Sequence, residues 1–289
     1  MKRIAVCISG QTRTYKQCLE NFKKYIDTIN RDREIPIVID YFYHTWDVNM
    51  WVLSAYEKEI RDVRNNPLEK VVVDIDYIAS ILNVKDYKIE SFDEFNKNTD
   101  IVTYWNPLFY SMYECNKLKI KYETENGFKY DMVIKSRFDL IFNLEDEYLG
   151  KFPIHSIERN TMYACWELEI FENELNTPHF NDIIFFGDSE SMDITCNIYK
   201  TYINNIFHKI NFYGRSENEF PPENLLGPGC LLYRYLSRHT NIKPTYKQQI
   251  KYYIARKEVY DKKLNGLNSD HIKEMIALDA DFFKLKKVL

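Results

Sequence analysis

The sequence predicts an α/β fold in which helices flank a mainly parallel central sheet. Two observations lead to this prediction. Short apolar runs, typical of buried strands, alternate with stretches whose apolar residues recur at helical spacing over much of the 289-residue chain. The chain also contains no internal repeat and no low-complexity linker, which favours one α/β domain with insertions.

The first half of the chain begins with a strand and a helix. The apolar run 4–8 predicts a buried strand, and the spacing of Cys18, Phe22, Ile26 and Ile29 predicts a helix after it. The same reasoning gives further strands at 35–43, 71–73 and 87–90 and helices at 55–64, 76–82 and 107–122.

The second half continues the alternation. It predicts strands at 130–136, 161–166 and 182–186 and helices at 189–206 and within 223–237, where Gly227-Pro228-Gly229 breaks or restarts the helix. After residue 242 the chain becomes rich in Lys and Tyr and ends in a helical stretch at 270–289. We therefore expect a domain at 1–242 and a helical C-terminal extension at 243–289, packed on that domain.

Composition excludes several classes of function. The net charge is −4 and the chain has no long basic run, which predicts no nucleic-acid partner. The six cysteines form no Cys-x-x-Cys pair and most lie in apolar surroundings, as buried thiols do in a reducing compartment. The N-terminus is too short in apolar length for a signal peptide, and no segment is apolar enough for an integral membrane span. These features predict a cytoplasmic protein.

The aromatic content has two interpretations. The chain carries 23 Tyr and 18 Phe. Tyrosine has an apolar body and a polar tip, so it suits the walls of sugar and nucleotide pockets. An AT-rich genome, which favours Tyr and Phe codons, would produce the same excess.

Polar clusters follow two of the predicted strands in the first half, where ligands bind in open α/β sheets. After the first strand, Gly10 would allow close approach of a ligand, and Arg13 would contact a phosphate. The alternative is a simple strand-to-helix turn. After the second strand, a histidine shares the strand end with an acid, or serves only as a structural hydrogen-bonding residue. The candidate ligand-binding residues of these clusters are Ser9, Gly10, Gln11, Arg13, His44 and Asp47.

A third cluster, Arg137-Phe138-Asp139, follows the strand predicted at 130–136. Burying these charges unpaired would cost several kcal/mol. The arginine would pair with phosphate oxygens, and the aspartate would hold a divalent cation, which prefers oxygen ligands. The alternative is an internal ion pair, or two exposed side chains on a strand that leaves the core.

Two further groups of residues complete the candidate site. One face of the helix at 107–122 carries Asn106, Tyr110, Tyr113 and Lys117, which would flank a base or sugar or simply form a solvated face. Three later carboxylates are candidates for the catalytic base or for binding the acceptor hydroxyl. They are Asp182, Asp188 and Glu223, of which Glu223 has the alternative role of a helix-dipole partner.

These motifs, in this order, resemble a family of glycosyltransferase-like proteins of bacterial capsule and surface-polysaccharide clusters and of large DNA viruses. The pattern is Ser-Gly-Gln-x-Arg, His-Thr-Trp, Tyr-Asp-x-Val-Ile-x-x-Arg-x-Asp, Asp-x-x-x-x-Gly and Pro-Glu-x-Leu-Leu, over roughly residues 4–236. The resemblance implies a GT-A-like fold, a nucleotide-sugar donor, a glycan acceptor and Mn²⁺ or Mg²⁺. Arg137 stands where many such enzymes carry the first Asp of an Asp-x-Asp metal motif, which leaves Asp139 as the clear metal ligand.

The single carboxylate in that motif motivates a second hypothesis, a non-catalytic sugar- or nucleotide-binding partner in polysaccharide assembly. A third hypothesis is a nucleotidyl- or phosphotransferase on the same type of sheet. Such an enzyme would release pyrophosphate or consume a nucleoside triphosphate.

Overall fold

A computed structural model describes residues 1–28, 36–50, 68–99, 105–142, 144, 156–165, 180–203, 228–248 and 252–254. The strands are β1 (Lys2–Ser9), β2 (Ile37–Trp46), β3 (Val48–Met50), β4 (Leu68–Lys70), β5 (Val84–Glu90), β6 (Met132–Ser136), β7 (Leu140–Phe142), β8 (Thr161–Cys165), β9 (Phe185–Gly187), β10 (Lys243–Gln248) and β11 (Tyr252–Ile254). The helices are α1 (Tyr15–Asp27), α2 (Ile75–Ile81), α3 (Phe92–Lys97), α4 (Trp105–Asn126), α5 (Ser189–Cys196) and α6 (Pro228–His239), and Tyr199–Ile203 forms a π-helical turn.

The central sheet has seven strands in the order β10-β8-β9-β6-β1-β2-β5. Neighbouring strands are parallel except around β9, which is antiparallel to both β6 and β8. The fold is thus mixed α/β with a mostly parallel sheet flanked by helices, which confirms the predicted class. Two short antiparallel pairs, β3 with β4 and β11 with β7, lie beside it.

Strand β1 is buried on both faces because a layer of helix covers each side of the sheet. On one face Ile4, Val6 and Ile8 pack in a cluster that includes Leu19 and Phe22 of α1. On the other face Ala5 and Cys7 pack in a cluster that includes Phe109 and Met112 of α4. The carboxyl ends of β1, β2 and β6 therefore meet at one edge of the sheet, between these two helices.

Several predicted elements differ in extent from the observed ones. No strand forms at 71–73, where Val72 is fully exposed, and the short strand is Leu68–Lys70 instead. Strand β2 continues through Trp46, since β5 pairs with it as far as the Trp46–Glu90 pair. Strand β9 begins only at Phe185, and helix α5 ends at Cys196 before the π-helical turn. The helix expected at 55–64, residue Ile29 and the helical stretch at 270–289 lie outside the described residues.

The chain continues the central sheet immediately after residue 242, where a domain boundary was expected. Strand β10 pairs in parallel with β8 and forms the edge of the central sheet, and β11 pairs with β7. Residues 243–248 and 252–254 therefore belong to the domain, which corrects the expected extension over these residues. Gly227-Pro228-Gly229 restarts a helix as expected, because α6 begins at Pro228, a residue tolerated in a first turn.

The expected burial of cysteines is observed for Cys7, Cys18, Cys115 and Cys196. Across the parts of the chain that the structure describes, no helix is long and apolar enough to cross a membrane.

Candidate active site

Two arginines and one aspartate form an ion cluster at the carboxyl edge of the sheet. Arg137 binds Asp139 through two parallel hydrogen bonds, from Nε to Oδ1 at 2.8 Å and from Nη2 to Oδ2 at 2.7 Å. Arg13, from the loop between β1 and α1, donates from Nη1 to Oδ2 at 2.8 Å. The structure therefore joins two of the predicted motifs, 126 residues apart in sequence, through one carboxylate.

The two arginines keep the Asp139 carboxylate ionised. Burial alone would raise the pKa of Asp139, but the guanidinium groups of Arg137 and Arg13 hold that pKa well below its usual range. The carboxylate stays ionised, and its one negative charge meets two positive ones. The side chains of Arg13 and Arg137 are nonetheless 18% and 20% exposed, so both guanidinium groups remain accessible at this edge.

The loop that carries Arg13 has an unusual backbone. Arg13 has φ 42°, a left-handed conformation that side chains other than glycine rarely adopt. Asn49, in the middle of β3, accepts the Arg13 amide on Oδ1 at 2.8 Å, and the Thr12 hydroxyl donates to the same oxygen at 3.4 Å. Gln11 accepts from Arg13 Nε at 3.2 Å. These contacts fix the loop in the conformation that directs Arg13 to Asp139.

Gly10, at the start of the same loop, has free space beside its backbone. Its φ of +116° requires glycine, and no atom of the described residues lies within 4 Å of where its Cβ would be. The Gly10 amide donates to the His44 carbonyl at 3.1 Å, which ties the ends of β1 and β2 together. Ser9, just before it, is buried. A ligand group would thus approach the backbone closely at Gly10.

His44 lies within β2, and its side chain is fully buried on the α4 face of the sheet. Nε2 contacts Glu90 Oε2 at 2.7 Å, and Nδ1 contacts the Ser111 hydroxyl at 2.7 Å. Burial lowers the pKa of His44, although Glu90 raises it, so the imidazole is neutral near pH 7. Glu90 is ionised. Burial raises its pKa, but the hydrogen bonds from His44 and Lys88 outweigh burial and bring the pKa to about 2. An ionised carboxylate only accepts, so Nε2 carries the proton and Nδ1 accepts from Ser111.

Within the arginine–aspartate segment, Phe138 lies on the α1 face of the sheet. Phe138, between Arg137 and Asp139 in sequence, packs against Tyr15 of α1 and Tyr43 of β2. The structure therefore places Arg13 and Arg137 at the edge where β1 and β6 end, whereas the His44 ring is bonded to Glu90 and Ser111. With both ring nitrogens engaged, His44 supports the strand end, and it is not grouped with the arginines.

Asp47 and Tyr110 also serve local structure. Asp47 Oδ1 accepts from the Phe92 amide at the start of α3 at 3.0 Å, and Oδ2 accepts from Lys70 at 3.1 Å. Tyr110 donates to Glu90 at 3.2 Å and stacks on Trp46 with the ring centroids 5.6 Å apart. Tyr110 also packs edge-to-face against His44, with the ring centroids 5.7 Å apart.

The other residues predicted on this face of α4 have contacts of their own. Asn106 is fully buried, and Tyr113 packs against Tyr199 with the ring centroids 6.0 Å apart. Lys117 binds Glu114 at 2.8 Å and lies roughly 10 Å along the helix from Tyr110. Tyr110 and Tyr113 both pack against Tyr199, and the Lys117 ammonium lies over the Tyr113 ring, so these residues share one face of α4.

Asp182 lies at the same edge as the arginines. It precedes β9, which runs antiparallel to β6 with Phe185 beside Lys135. Buried Lys135 donates from Nζ to the carbonyl oxygens of Asp182 and Ile183. Asn181 accepts the Ile183 amide at 2.9 Å. These bonds hold the Asp182 segment next to the end of β6, with its side chain partly exposed.

The structure places Asp188 at the opposite edge of the sheet, because Gly187 pairs with Val133 near the start of β6. Asp188 is the N-cap of α5, where its carboxylate accepts the Ser191 amide at 3.0 Å and the Ser191 hydroxyl at 2.6 Å. The expectation that Asp188 serves the acceptor is corrected on this ground. Glu223 lies outside the described residues.

Asp139 does not fit the metal ligand expected from the resemblance. Its side chain is 1% exposed, and three hydrogen bonds from two guanidinium groups occupy its two oxygens. A divalent cation there would sit against two positive groups. Among the described residues, no group of three His, Cys, Asp or Glu is placed to hold a metal ion.

Sequence reasoning missed the residues that support the cluster. Asn49 fixes the Arg13 loop, and Glu90 fixes His44; neither follows a recognisable motif. Ser136 and Thr45 are fully buried, and within the described ranges their hydroxyls have no hydrogen-bond partner. The sequence did give a signal for Lys135, because a lysine inside an apolar run indicates a buried charge that needs partners.

Comparisons with known proteins found similarity among solved structures alone. No family model matches the chain, and no curated protein matches it. It is similar to the galactosyltransferase LgtC in complex with donor and acceptor sugar analogs, at 12% identity over 84% of this chain and 72% of that chain, with TM-score 0.41. An active-site mutant of LgtC gives 12% identity over the same shares, with TM-score 0.39. The glycosyltransferase GlyE of Streptococcus pneumoniae TIGR4 gives 10% identity over 86% of this chain and 45% of GlyE, with TM-score 0.38.

Proposed function

We propose that this chain is a glycosyltransferase that moves a sugar from a nucleoside-diphosphate donor to a glycan acceptor. The observation that carries the proposal is the pair of partly exposed guanidinium groups of Arg13 and Arg137, joined by Asp139 beside Gly10 at the carboxyl edge of the sheet. Ligands of open α/β sheets bind at this edge, and guanidinium groups match phosphate oxygens in geometry and charge.

The proposed reaction breaks one bond and forms another. The bond between the anomeric carbon of the sugar and the donor's terminal phosphate oxygen breaks, and the diphosphate leaves with the electron pair. Arg13 and Arg137 stabilise the negative charge that develops there. The acceptor hydroxyl oxygen bonds to the anomeric carbon, and its proton passes to a base. Asp182 is the proposed base, since it is the predicted carboxylate that the structure holds at this edge.

A panel of UDP-, GDP-, CDP- and dTDP-sugars with mass-spectrometric product analysis tests the proposal. The expected products are a nucleoside diphosphate and a glycosylated acceptor or free sugar. Arg137→Ala should lower turnover by about 10²-fold or more, as expected when one stabiliser of developing charge is removed. Arg3→Ala is the matched control, because Arg3 stacks on Phe128 near the amino edge of the sheet.

The other hypotheses predict different products. Pyrophosphate release or consumption of a nucleoside triphosphate would identify a nucleotidyl- or phosphotransferase. Binding of a nucleotide sugar without any turnover would identify a non-catalytic partner. Either result would overturn the transferase proposal.

A further inference from the structure

The contacts of Asp139 bear on how this site handles the charge of a diphosphate. We propose that Arg13 and Arg137 neutralise the donor diphosphate without a divalent cation, and that Asp139 is a positioning residue for the two guanidinium groups. The inference rests on the proposed function, because the diphosphate is that of the sugar donor.

The side chains of Arg13 and Arg137 lie nearer the surface than that of Asp139. The side chains of Arg13 and Arg137 are 18% and 20% exposed, whereas that of Asp139 is 1% exposed. An anion that approaches the edge therefore meets the guanidinium groups first. A hydrated cation would have to pass between two positive groups to reach the carboxylate, which electrostatic repulsion opposes.

The donor set of Asp139 supports the same conclusion. A carboxylate offers about four lone-pair positions, and here three hydrogen bonds from arginines use three of them. Two of these bonds form the bidentate pair with Arg137, which is the strongest geometry for such a contact. Metal ligation would require Asp139 to give up bonds that keep its buried charge paired, at a cost of several kcal/mol.

The surrounding charges also favour an anion. Helix α1 begins two residues after Arg13, and its N-terminus adds partial positive charge. The ammonium of Lys135 lies beneath the Asp182 segment, with its Nζ on two carbonyl oxygens. Positive groups thus lie at this edge on β6 and in the loop between β1 and α1, beside the carboxylate of Asp182 that is the proposed base, so a diphosphate finds counter-charge in the protein itself.

Asp139 acts by holding together two arginines from separate loops. Asp139→Asn keeps the size of the side chain but removes the charge, and its amide hydrogens would point at guanidinium donors. The two arginines would then repel each other and lose their common position. We expect weaker diphosphate binding in this variant, and added metal should not restore it.

Calorimetric titration of inorganic pyrophosphate and of UDP, GDP, CDP and dTDP, in EDTA and in Mn²⁺, tests the inference. In the wild type, the Kd of the preferred diphosphate should agree within about twofold between the two conditions. Arg13→Ala and Arg137→Ala should each weaken binding by about tenfold or more. Arg3→Ala should leave the Kd unchanged, and circular dichroism should show that every variant is folded.

Two results would count against the inference in distinguishable ways. If Mn²⁺ tightens binding by about tenfold or more in the wild type and this gain disappears in Asp139→Asn, Asp139 is a metal ligand and the inference is wrong, while sugar transfer stands. If pyrophosphate binds in EDTA and depends on both arginines but no nucleotide sugar turns over, the proposed function fails and the cation-independent site stands. Should Asp139→Asn not fold, the cation dependence of the wild type and of Arg137→Ala decides the question.

Discussion

At the scale of single residues, buried charges define the candidate site. Asp139 and Lys135 both have fully buried side chains, and each meets partners of suitable charge or polarity. Burying either charge without partners would cost several kcal/mol, so these contacts are conditions of folding as well as of binding. The sequence shows both residues in polar positions after an apolar run. It does not show their partners, because Arg13 and the Asp182 segment lie far away along the chain.

Replacing Arg137 with lysine should separate geometry from charge. Arg137 holds Asp139 through two parallel bonds, which a single ammonium group cannot reproduce. Arg137→Lys should therefore weaken nucleoside diphosphate binding by about tenfold, or roughly 1.4 kcal/mol. Calorimetry would measure this, with Arg3→Lys as the control. Equal affinity of Arg137→Lys and wild type would show that the bidentate pair has no role in binding.

Lys135 should make stability depend on pH in the alkaline range. Burial lowers its pKa from 10.5 to about 8, so between these values the unfolded chain binds more protons than the folded one. Stability of the wild type relative to Lys135→Met should therefore rise as pH increases from 8 towards 10, with an upper limit of roughly 3 kcal/mol. Urea unfolding at pH 7, 8, 9 and 10 would measure the difference. Parallel profiles for the two proteins would contradict this account of Lys135.

At the scale of elements, apolar periodicity predicted most of the strands and helices but not where the strands end. Strand β1 and helix α1 were predicted because their own residues determine which face is buried. The extension of β2 through His44 and Trp46 was not, because Glu90 of β5 and Ser111 of α4 satisfy His44 from elsewhere in the chain. Asp188, a candidate base by sequence, instead caps α5 through the amide and hydroxyl of nearby Ser191.

Asn49 should control the loop between β1 and α1. Asn49→Ala removes the acceptor for the Arg13 amide and the Thr12 hydroxyl. Arg13 would then relax from φ 42°, and nucleoside diphosphate binding should weaken several-fold, while unfolding free energy falls by about 1 kcal/mol. Calorimetry and urea unfolding measure the two effects. Asn83→Ala serves as the control, because it removes an exposed amide side chain just before β5. Unchanged diphosphate binding in Asn49→Ala would contradict the role given to Asn49.

The contact between β8 and β9 depends on Gly187. A Cβ at this position would lie 2.5 Å from Met162 Sδ and 2.9 Å from the Thr161 carbonyl oxygen. Because the second contact is with backbone, Gly187→Ala should lower the free energy of unfolding by about 1–3 kcal/mol. Urea unfolding would measure this loss. A variant as stable as the wild type would show that β8 and β9 can move apart to admit the methyl group without a loss of free energy.

At the scale of the whole molecule, the sheet collects residues from distant parts of the chain at one edge. The parallel register of β1, β2 and β6 brings Gly10, Arg13 and Arg137 together, and β9 adds Asp182. The sequence predicted the class of fold and the edge, since parallel strands share a carboxyl end. It could not predict which polar cluster lies on which face, because this depends on how the helices pack.

The end of the domain is the feature that the sequence placed wrongly. Because β10 and β11 pair with β8 and β7, a chain ending at residue 242 should be clearly less stable than one ending at residue 254. The shorter chain would expose the β8 edge and lose its hydrogen bonds. Thermal unfolding of the two chains would measure the difference, and equal melting temperatures would show that these strands are dispensable.

A crystal structure of the protein with the nucleoside diphosphate that it binds most tightly would show whether the two arginines hold the diphosphate. Phosphate oxygens are expected at about 3 Å from the guanidinium nitrogens of Arg13 and Arg137, with Asp139 still bonded to both arginines. A diphosphate bound elsewhere, or held through a cation on Asp139, would contradict this expectation.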